Sequence, residues 1–388
     1  MNSLKNMLLM CEIWMFNMHR GLLVSLLLLT GCGTSFDLAP APERLVGEQK
    51  SVASRKGLTP DDPMAVERLE AQAVKLTRDG DGLIVEVSFR GKQFDREVLA
   101  SLASLQRLRS LLFNDSNVTD TDLEAVGKLS SLRNLDLRGC EISNAGVERL
   151  VDLESLKALR FSGKDSSTSV DDGALGAIAS LPNLKVLALD FLWVSDEGLL
   201  QLQSLIGLEE LYLAGTLVTD EGLRNIQPLS RLRRLRLAQT QITNDGLVVL
   251  KDFSNLEDLD LSENALLSDR AMAAVGKATS LKKLNLWRVA ITDTGLADLT
   301  ELVELVSLNL DNTQISDTGL QYLKKMQNLE FLHLGSTAVS DAGLPHLESL
   351  GSLQDLKVTR TGVTAEGVSE LQKKLPGTQI QLRYIESQ

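Results

Sequence analysis

The chain has 388 residues, 43% of them hydrophobic and 24% charged, with a formal net charge of −12. Those proportions fit a globular protein and exclude a disordered, collagen-like or polytopic membrane chain. The acidic balance argues against nucleic-acid binding, which needs clustered Lys and Arg, and an aromatic share of only 4% leaves the interior to aliphatic side chains.

In chain order, Met18, His19 and Arg20 precede a short apolar run, Gly21 to Leu29, that ends in Leu29-Thr30-Gly31-Cys32. A positive charge, about ten apolar residues and a small-residue exit form a secretory signal. The run is too short to span a bilayer, which needs about 20 residues. Glu12 interrupts the apolar stretch before it, so the true start is expected at Met15 or Met18. Residues 1–31 are therefore read as a signal peptide. Leu29 to Cys32 resemble the lipobox of bacterial lipoproteins. The resemblance implies cleavage before Cys32 and a diacylglycerol on its thiol, which anchors the protein in the cell envelope. In that family an Asp after the cysteine retains the protein at the inner membrane. Gly33 stands there instead, implying the outer membrane and a periplasm-facing body.

Residues 32–60 contain Pro40, Pro42 and Pro60 without apolar periodicity and read as a lipidated N-terminus and flexible linker. In residues 61–82, Asp61-Asp62-Pro63 offers a helix cap with proline in the first turn. Val66, Leu69, Ala73, Val74 and Leu76 then predict a short amphipathic capping helix from about Pro63 to Leu76. Asp79-Gly80-Asp81-Gly82 ends it. These aspartates lack a third calcium ligand, because Leu83 occupies its place, and read as a turn into a strand.

From residue 83 to 375 the chain repeats one unit about 12 times. The leading apolar residue recurs from Ile84 through Leu108, Leu132 and Leu156 to Leu353, and nine of its eleven intervals are 24 residues. The exceptions are 28 (Leu156 to Leu184) and 25 (Leu256 to Leu281). Each unit reads L-x-x-L-x-L-x-x-T-x-I-T-D-x-G-L-x-x-L-x-x-L, as Leu232 to Leu247 illustrate. Leu235 and Leu237, two apart, point to one face of a strand. Leu247, Leu250 and Phe253, three apart, mark one face of a short helix. Thr243 or Asn244 can cap that helix. Gly146, Gly198, Gly222, Gly246, Gly295, Gly319, Gly343 and Gly367 share an early-helix slot, where glycine costs about 1 kcal/mol relative to alanine. Close packing of neighbouring backbones is the expected reason. A single strand and helix cannot bury a face alone, so the units must stack.

This unit resembles the leucine-rich repeat family. The resemblance implies an α/β solenoid, with a curved parallel sheet on the concave side and short helices on the convex side. That family places Asn at the ninth position, where it bridges adjacent turns; here only Asn264 retains it. Thr216, Thr240, Thr313, Thr337 and Thr361, with Ser116 and Cys140, are expected to form a weaker ladder. Cys140 reads as a small buried residue. The T-D-x-G-L variant also resembles repeats of planctomycete-type bacteria and of eukaryotic F-box proteins. No F-box-like helical domain precedes the repeats, so ubiquitin ligation is not carried over. Leu375-Pro376-Gly377 stops the last helix, and Ile380, Leu382 and Tyr384 alternate as a closing strand within residues 376–388.

With leucines inward, the free strand positions form the concave face. Tyr212, Arg234, Arg236, Asp258, Asp260, Asn285, Trp287, Arg288, Asn309, Asp311, Phe331 and His333 are expected to form one ligand-binding patch, because strands stack about 4.8 Å apart. Binding hot spots favour Trp, Tyr and Arg. The competing reading is that mixed charges on this face simply neutralise each other. The insertion at Gly163 to Ser169 is a polar rim loop, open to either a contact role or none.

Catalysis finds little support. Only three histidines occur, His19, His333 and His346, and His333 has no Ser or Cys nucleophile with a matching elbow. No metal spacing and no phosphate-cradling glycine loop is present, so neither metal nor cofactor is expected. Three cysteines, Cys11, Cys32 and Cys140, give no disulfide framework. The expected role is non-catalytic binding of a protein partner through the concave face. Glycan or peptidoglycan binding, with Trp287 and Tyr212 as stacking platforms, is the alternative, and an architectural envelope spacer is a third.

Overall fold

Within each unit the two strand leucines turn inward while their neighbours face out. Leu235 and Leu237 are fully buried, whereas the alternating Arg234 and Arg236 stay partly exposed. The computed structural model describes residues 59–383, where this alternation repeats from end to end. The expected signal peptide, Cys32, residues 33–58 of the linker and Tyr384 lie outside the described residues.

The strands form one 14-stranded sheet in chain order. They are β1 (Lys75–Arg78), β2 (Ile84–Ser88), β3 (Ser110–Leu112), β4 (Asn134–Asp136), β5 (Ala158–Ser162), β6 (Val186–Asp190) and β7 (Glu210–Tyr212). They continue as β8 (Arg234–Arg236), β9 (Asp258–Asp260), β10 (Lys283–Asn285), β11 (Ser307–Asn309), β12 (Phe331–His333), β13 (Asp355–Lys357) and β14 (Gln379–Gln381). β1 pairs antiparallel with β2, and the pairs from β2 to β14 are parallel. Short α or 3₁₀ helices return the chain between strands, such as Asp220–Asn225 and Gly246–Asp252. The result is the leucine-rich-repeat-type α/β solenoid that the repeat pattern predicts. Its core is one continuous aliphatic cluster from Leu69 to Leu375, with each fully buried leucine contributing about 1.5–3 kcal/mol.

The N-terminal cap differs from the sequence expectation. The helix covers only Pro63–Ala71, capped by Asp62, whose carboxylate accepts the Met64 N–H at 3.0 Å. Ala73 adopts a left-handed φ of 53°, which stops the helix, and Lys75–Arg78 becomes the antiparallel strand β1. Val74 and Leu76 therefore belong to a hairpin that covers the open edge of β2, a common way to protect a sheet edge. Asp79 and Asp81 are both held by Arg107 Nη1, at 2.6 and 2.8 Å. At the other end, the helix Ala365–Lys374 and strand β14 close the stack.

The expected hydroxyl ladder is not what joins the turns. Thr216, Thr240, Thr313, Thr337 and Thr361 each donate to the carbonyl three residues earlier in their own turn, at 2.6–2.9 Å. Bridging at this position involves, among the described residues, Ser116, Cys140, Thr168, Thr240 and Asn264, with the Thr240 hydroxyl also donating to Asn264 Oδ1 at 3.1 Å. The Cys140 thiol donates to Phe113 O, Thr168 donates to Cys140 O, and Asn264 Nδ2 donates to Leu237 O at 2.7 Å. Cys140 is fully buried, and burial pushes its thiol up to about 11.

The joining is done by the aspartate of the T-D motif. Asp196 Oδ1 accepts the Thr219 N–H at 2.8 Å, its Oδ2 accepts the Thr219 hydroxyl at 2.5 Å, and the Gly222 N–H adds a third bond at 2.9 Å. Asp120, Asp172, Asp220, Asp269, Asp293, Asp317 and Asp341 repeat this grip on the Ser or Thr that caps the next turn. The recurring glycine is explained by the same contact. A Cβ on Gly146, Gly198, Gly222, Gly246, Gly295, Gly319, Gly343 or Gly367 would lie 2.0–2.5 Å from the Oδ1 of the preceding aspartate. The steric need is thus for a carboxylate rather than for a neighbouring backbone. In two turns the aspartate is Asn144 or Asn244, and there the next slot holds Ala174 or Ala271 instead of glycine. Both pairs span the two units of irregular length.

Candidate functional site

Strand register places the expected face residues side by side. Tyr212 pairs with Arg236, Arg236 with Asp260, Asp260 with Asn285, Asn285 with Asn309, and Asn309 with His333. Trp287, Arg288 and Asp311 follow directly after their strands. The twelve residues divide into two zones with different surroundings.

Between β6 and β9 the charges close on one another. Arg236 sits between two carboxylates, with Nη1 2.9 Å from Asp190 and Nε 3.2 Å from Asp260. Arg234 does the same between Glu210 at 3.2 Å and Asp258 at 3.0 Å. The Tyr212 hydroxyl donates to Glu210 at 2.7 Å and accepts from Arg234 at 3.0 Å. Tyr212 is only 5% exposed, and Asp190 only 4%. Burial pushes the Tyr212 phenol well above its ordinary range and raises the Asp190 and Asp258 carboxyls, against the pull of their arginines. Tyr212 was expected as an exposed platform; it is instead the buried centre of a hydrogen-bonded network. Asp190 and Glu210, left out of the expected patch, complete that network. Their signal was present in the sequence as acids one strand (Glu210) and two strands (Asp190) before the arginines they meet.

From β10 to β13 the face is more open. Asn285 and Asn309 are partly committed, because their Oδ1 atoms accept the N–H of Trp287 and Asp311, at 3.1 and 3.0 Å. Asn309 is also buried, so it offers little to a ligand. Trp287 is half-buried, with the Arg288 guanidinium carbon 4.8 Å from its ring centroid. Arg288 itself, in left-handed backbone at φ 57°, reaches Glu263 at 2.9 Å. Phe331 lies beneath the Lys357 ammonium at 5.2 Å and edge-on to His333 at 6.4 Å. Lys357 was not placed in the expected patch, although it is the strand partner of His333.

A notch lies at Gly335. A Cβ there would be 2.7 Å from Asp311 Oδ1, 2.9 Å from His333 Nε2 and 3.0 Å from Thr359 Oγ1. Three polar atoms thus gather over a residue that has no side chain. Burial, with help from Lys357, lowers the His333 pKa to about 4, so the ring is neutral at pH 7. Burial also raises the Asp311 carboxyl. The arrangement can accept a group that both donates and accepts hydrogen bonds. No carboxylate hydrogen-bonds the His333 ring among the described residues, so nothing orients either ring nitrogen for acid–base chemistry. A general base needs such an acid on the nitrogen opposite the one that takes the proton.

The rim insertion folds back on itself. Ser166 N–H returns to Gly163 O at 3.0 Å, and Ser167 bonds Asp165. Lys164, Asp165 and Ser166 are exposed.

The repeat geometry has known counterparts. A leucine-rich repeat protein of Leptospira interrogans has a similar structure, with a TM-score of 0.53 at 21% identity over 73% of this chain and 74% of that one. An internalin from Listeria monocytogenes matches with a TM-score of 0.53 at 22% identity over 76% of this chain and 94% of the other. Likeness at this identity concerns the fold. No curated protein matches the sequence. The family description that does match, leucine-rich repeat region, covers residues 88–342, from the second strand to the tenth of the T-D-type turns. With its inward leucines, stacked parallel strands and that match over more than half its length, the chain belongs to the leucine-rich repeat family.

Proposed function

We propose that this chain is a non-catalytic recognition protein of the bacterial cell envelope. It is held by a lipid on Cys32 and binds a protein partner through β10 to β13. The observation that carries the binding site is the contrast on the sheet face. Trp287, Phe331, His333 and Lys357 have no side-chain hydrogen bond among the described residues, whereas the neighbouring arginines and acids are fully engaged. Aromatic and cationic side chains of this kind contribute most of the energy in many interfaces. The test is crosslinked capture from the native cell. Trp287→Ala with His333→Ala should abolish recovery of a stoichiometric protein, while Tyr212→Phe should not. Unchanged capture by the double variant overturns the site. Cys32→Ser should move the protein to the soluble fraction, and unchanged detergent-dependent extraction overturns the anchor.

The Gly335 notch favours a second reading. Asp311, His333 and Thr359 would receive a hydroxyl of a glycan, with Phe331 beside it. Retention on a polysaccharide column, lost in Gly335→Val, supports that reading over the first. Sheet-face variants without phenotype, beside a deletion that has one, leave the architectural role.

A further inference from the structure

At the second position of each unit, just before the strand, one column of side chains runs along the edge of the sheet. Backbone bonds tie it together: Arg133 N–H donates to Arg109 O at 2.7 Å, Lys157 to Arg133 at 2.8 Å, and Lys185 to Lys157 at 2.8 Å. From Lys185 onward the column is self-neutralising. Lys185 pairs with Glu209, and Glu257 takes both Arg233 and Lys282. Before it stand Arg109, Arg133 and Lys157, all exposed, on consecutive turns. Among the described residues none of the three has an ion-pair partner or a side-chain hydrogen bond. The neighbouring third position offers no charge either, being Ser110, Asn134 and Ala158.

Like charges on adjacent strands destabilise a sheet. Here three cations, with Lys185 beside them, stand about 4.8 Å apart in a chain whose net charge is −12. The overall negative charge does not cancel them at close range, since salt screens beyond about 8 Å at physiological strength. The described body also begins on this part of the molecule. The Thr59 hydroxyl accepts from Gln106 Nε2 at 2.8 Å, three residues before Arg109. The residues that precede Thr59 include the apolar run Gly21 to Leu29 and Cys32, so a membrane attachment there delivers the basic edge to the bilayer.

We infer that Arg109, Arg133 and Lys157 form a docking edge for anionic lipid headgroups, which lays the flank of the solenoid on the membrane and leaves the sheet face open to solvent. The inference rests on the membrane-anchoring reading for its geometry, but its charge dependence is measured separately. Two acyl chains hold a protein on a bilayer by themselves, so the basic edge sets which flank faces the lipid.

The experiment uses the full chain and flotation with two kinds of vesicle, pure phosphatidylcholine and a mixture with about 30% phosphatidylglycerol. Binding to neutral vesicles reads the N-terminal segment; the excess on anionic vesicles reads the edge. Each cation near such a surface is worth about fivefold, so R109Q/R133Q/K157Q should lower the anionic excess about 100-fold. It should leave neutral-vesicle binding unchanged and melt no lower than the parent, because a repulsion has been removed. The control K251Q/K277Q/K324Q, on the helix side, should retain the excess. An excess that survives in R109Q/R133Q/K157Q overturns the inference. So does its absence from the parent chain, the outcome expected if the edge serves an acidic protein instead. Failure of the anchor appears elsewhere, as unchanged extraction of Cys32→Ser.

Discussion

Between β6 and β9 each charged side chain on the sheet face is answered by another, whereas from β10 to β13 the face carries a histidine, a lysine and two aromatic rings without that answer. Both stretches rest on the same leucine spine and repeat the same unit. The difference lies in which residues occupy positions three, five and seven on nearby strands. Arg234 and Arg236 each fall between two acids, so they act as internal cross-ties. His333 falls between its strand partners Asn309 and Lys357, whose side chains form no hydrogen bond with it. Residue type alone therefore misleads. Tyr and Arg are common hot-spot residues, yet here they are consumed by the scaffold.

The sharpest way to break this comparison is Arg236→Ala. It leaves the Asp190 carboxylate buried without a cation, and loss of one partner of a buried pair costs about 3–5 kcal/mol. Chemical denaturation should show a loss on that scale with no specific effect on a ligand bound at Gly335. A fall below about 1 kcal/mol would mean that the zone is not a closed network.

The open zone should announce itself through pH. Free histidine protonates near 6.5, whereas His333 does so near 4. Between those values the unfolded chain binds the proton and the folded chain does not, so stability falls as pH drops from 6.5 towards 4. His333→Gln should flatten this part of the profile, a difference of about 2–3 kcal/mol near pH 4. An identical slope in both proteins removes His333 as its source.

The spine, by contrast, should not distinguish the zones. Gly222→Ala in the middle and Gly319→Ala further on both push a methyl against an aspartate, at 2.4 and 2.2 Å. Each should cost about 1–3 kcal/mol, and by similar amounts in thermal melts. The smallest expected change is Trp287→Ala. Its partly exposed ring contributes less than about 1 kcal/mol to folding, so its melting temperature should hardly move while partner capture falls. A large stability loss there would place Trp287 with Tyr212 in the scaffold.

The repeat was legible because an inward leucine leaves a strict spacing in the chain. The end of the first helix was not, because Val74 and Leu76 satisfy both a helical and an alternating pattern. Only the left-handed turn at Ala73 decides between them. The membership of the sheet face could be counted from the sequence, but its exposure could not. Whether Tyr212 shows its ring depends on Glu210 and Arg234, which bind its hydroxyl from two different strands. The threonines of the ninth position resembled a ladder, yet apart from Thr240, which also reaches Asn264, their hydroxyls stay within their own turn. The real link was visible as a constant separation of 26 residues between an aspartate and a glycine, from Asp120 and Gly146 to Asp341 and Gly367.

That link makes the order of turns a matter of fit. A unit with glycine behind and aspartate ahead is compatible with copies of itself and can be duplicated freely. The unit holding Gly146 and Asn144, and the longer one after it holding Ala174 and Asp172, form a matched set, as do those of Gly246 with Asn244 and Ala271 with Asp269. Excising one member of either set brings an aspartate against an alanine methyl, or an asparagine against an empty slot. Lengthening or shortening this protein by whole turns should succeed only where both members travel together.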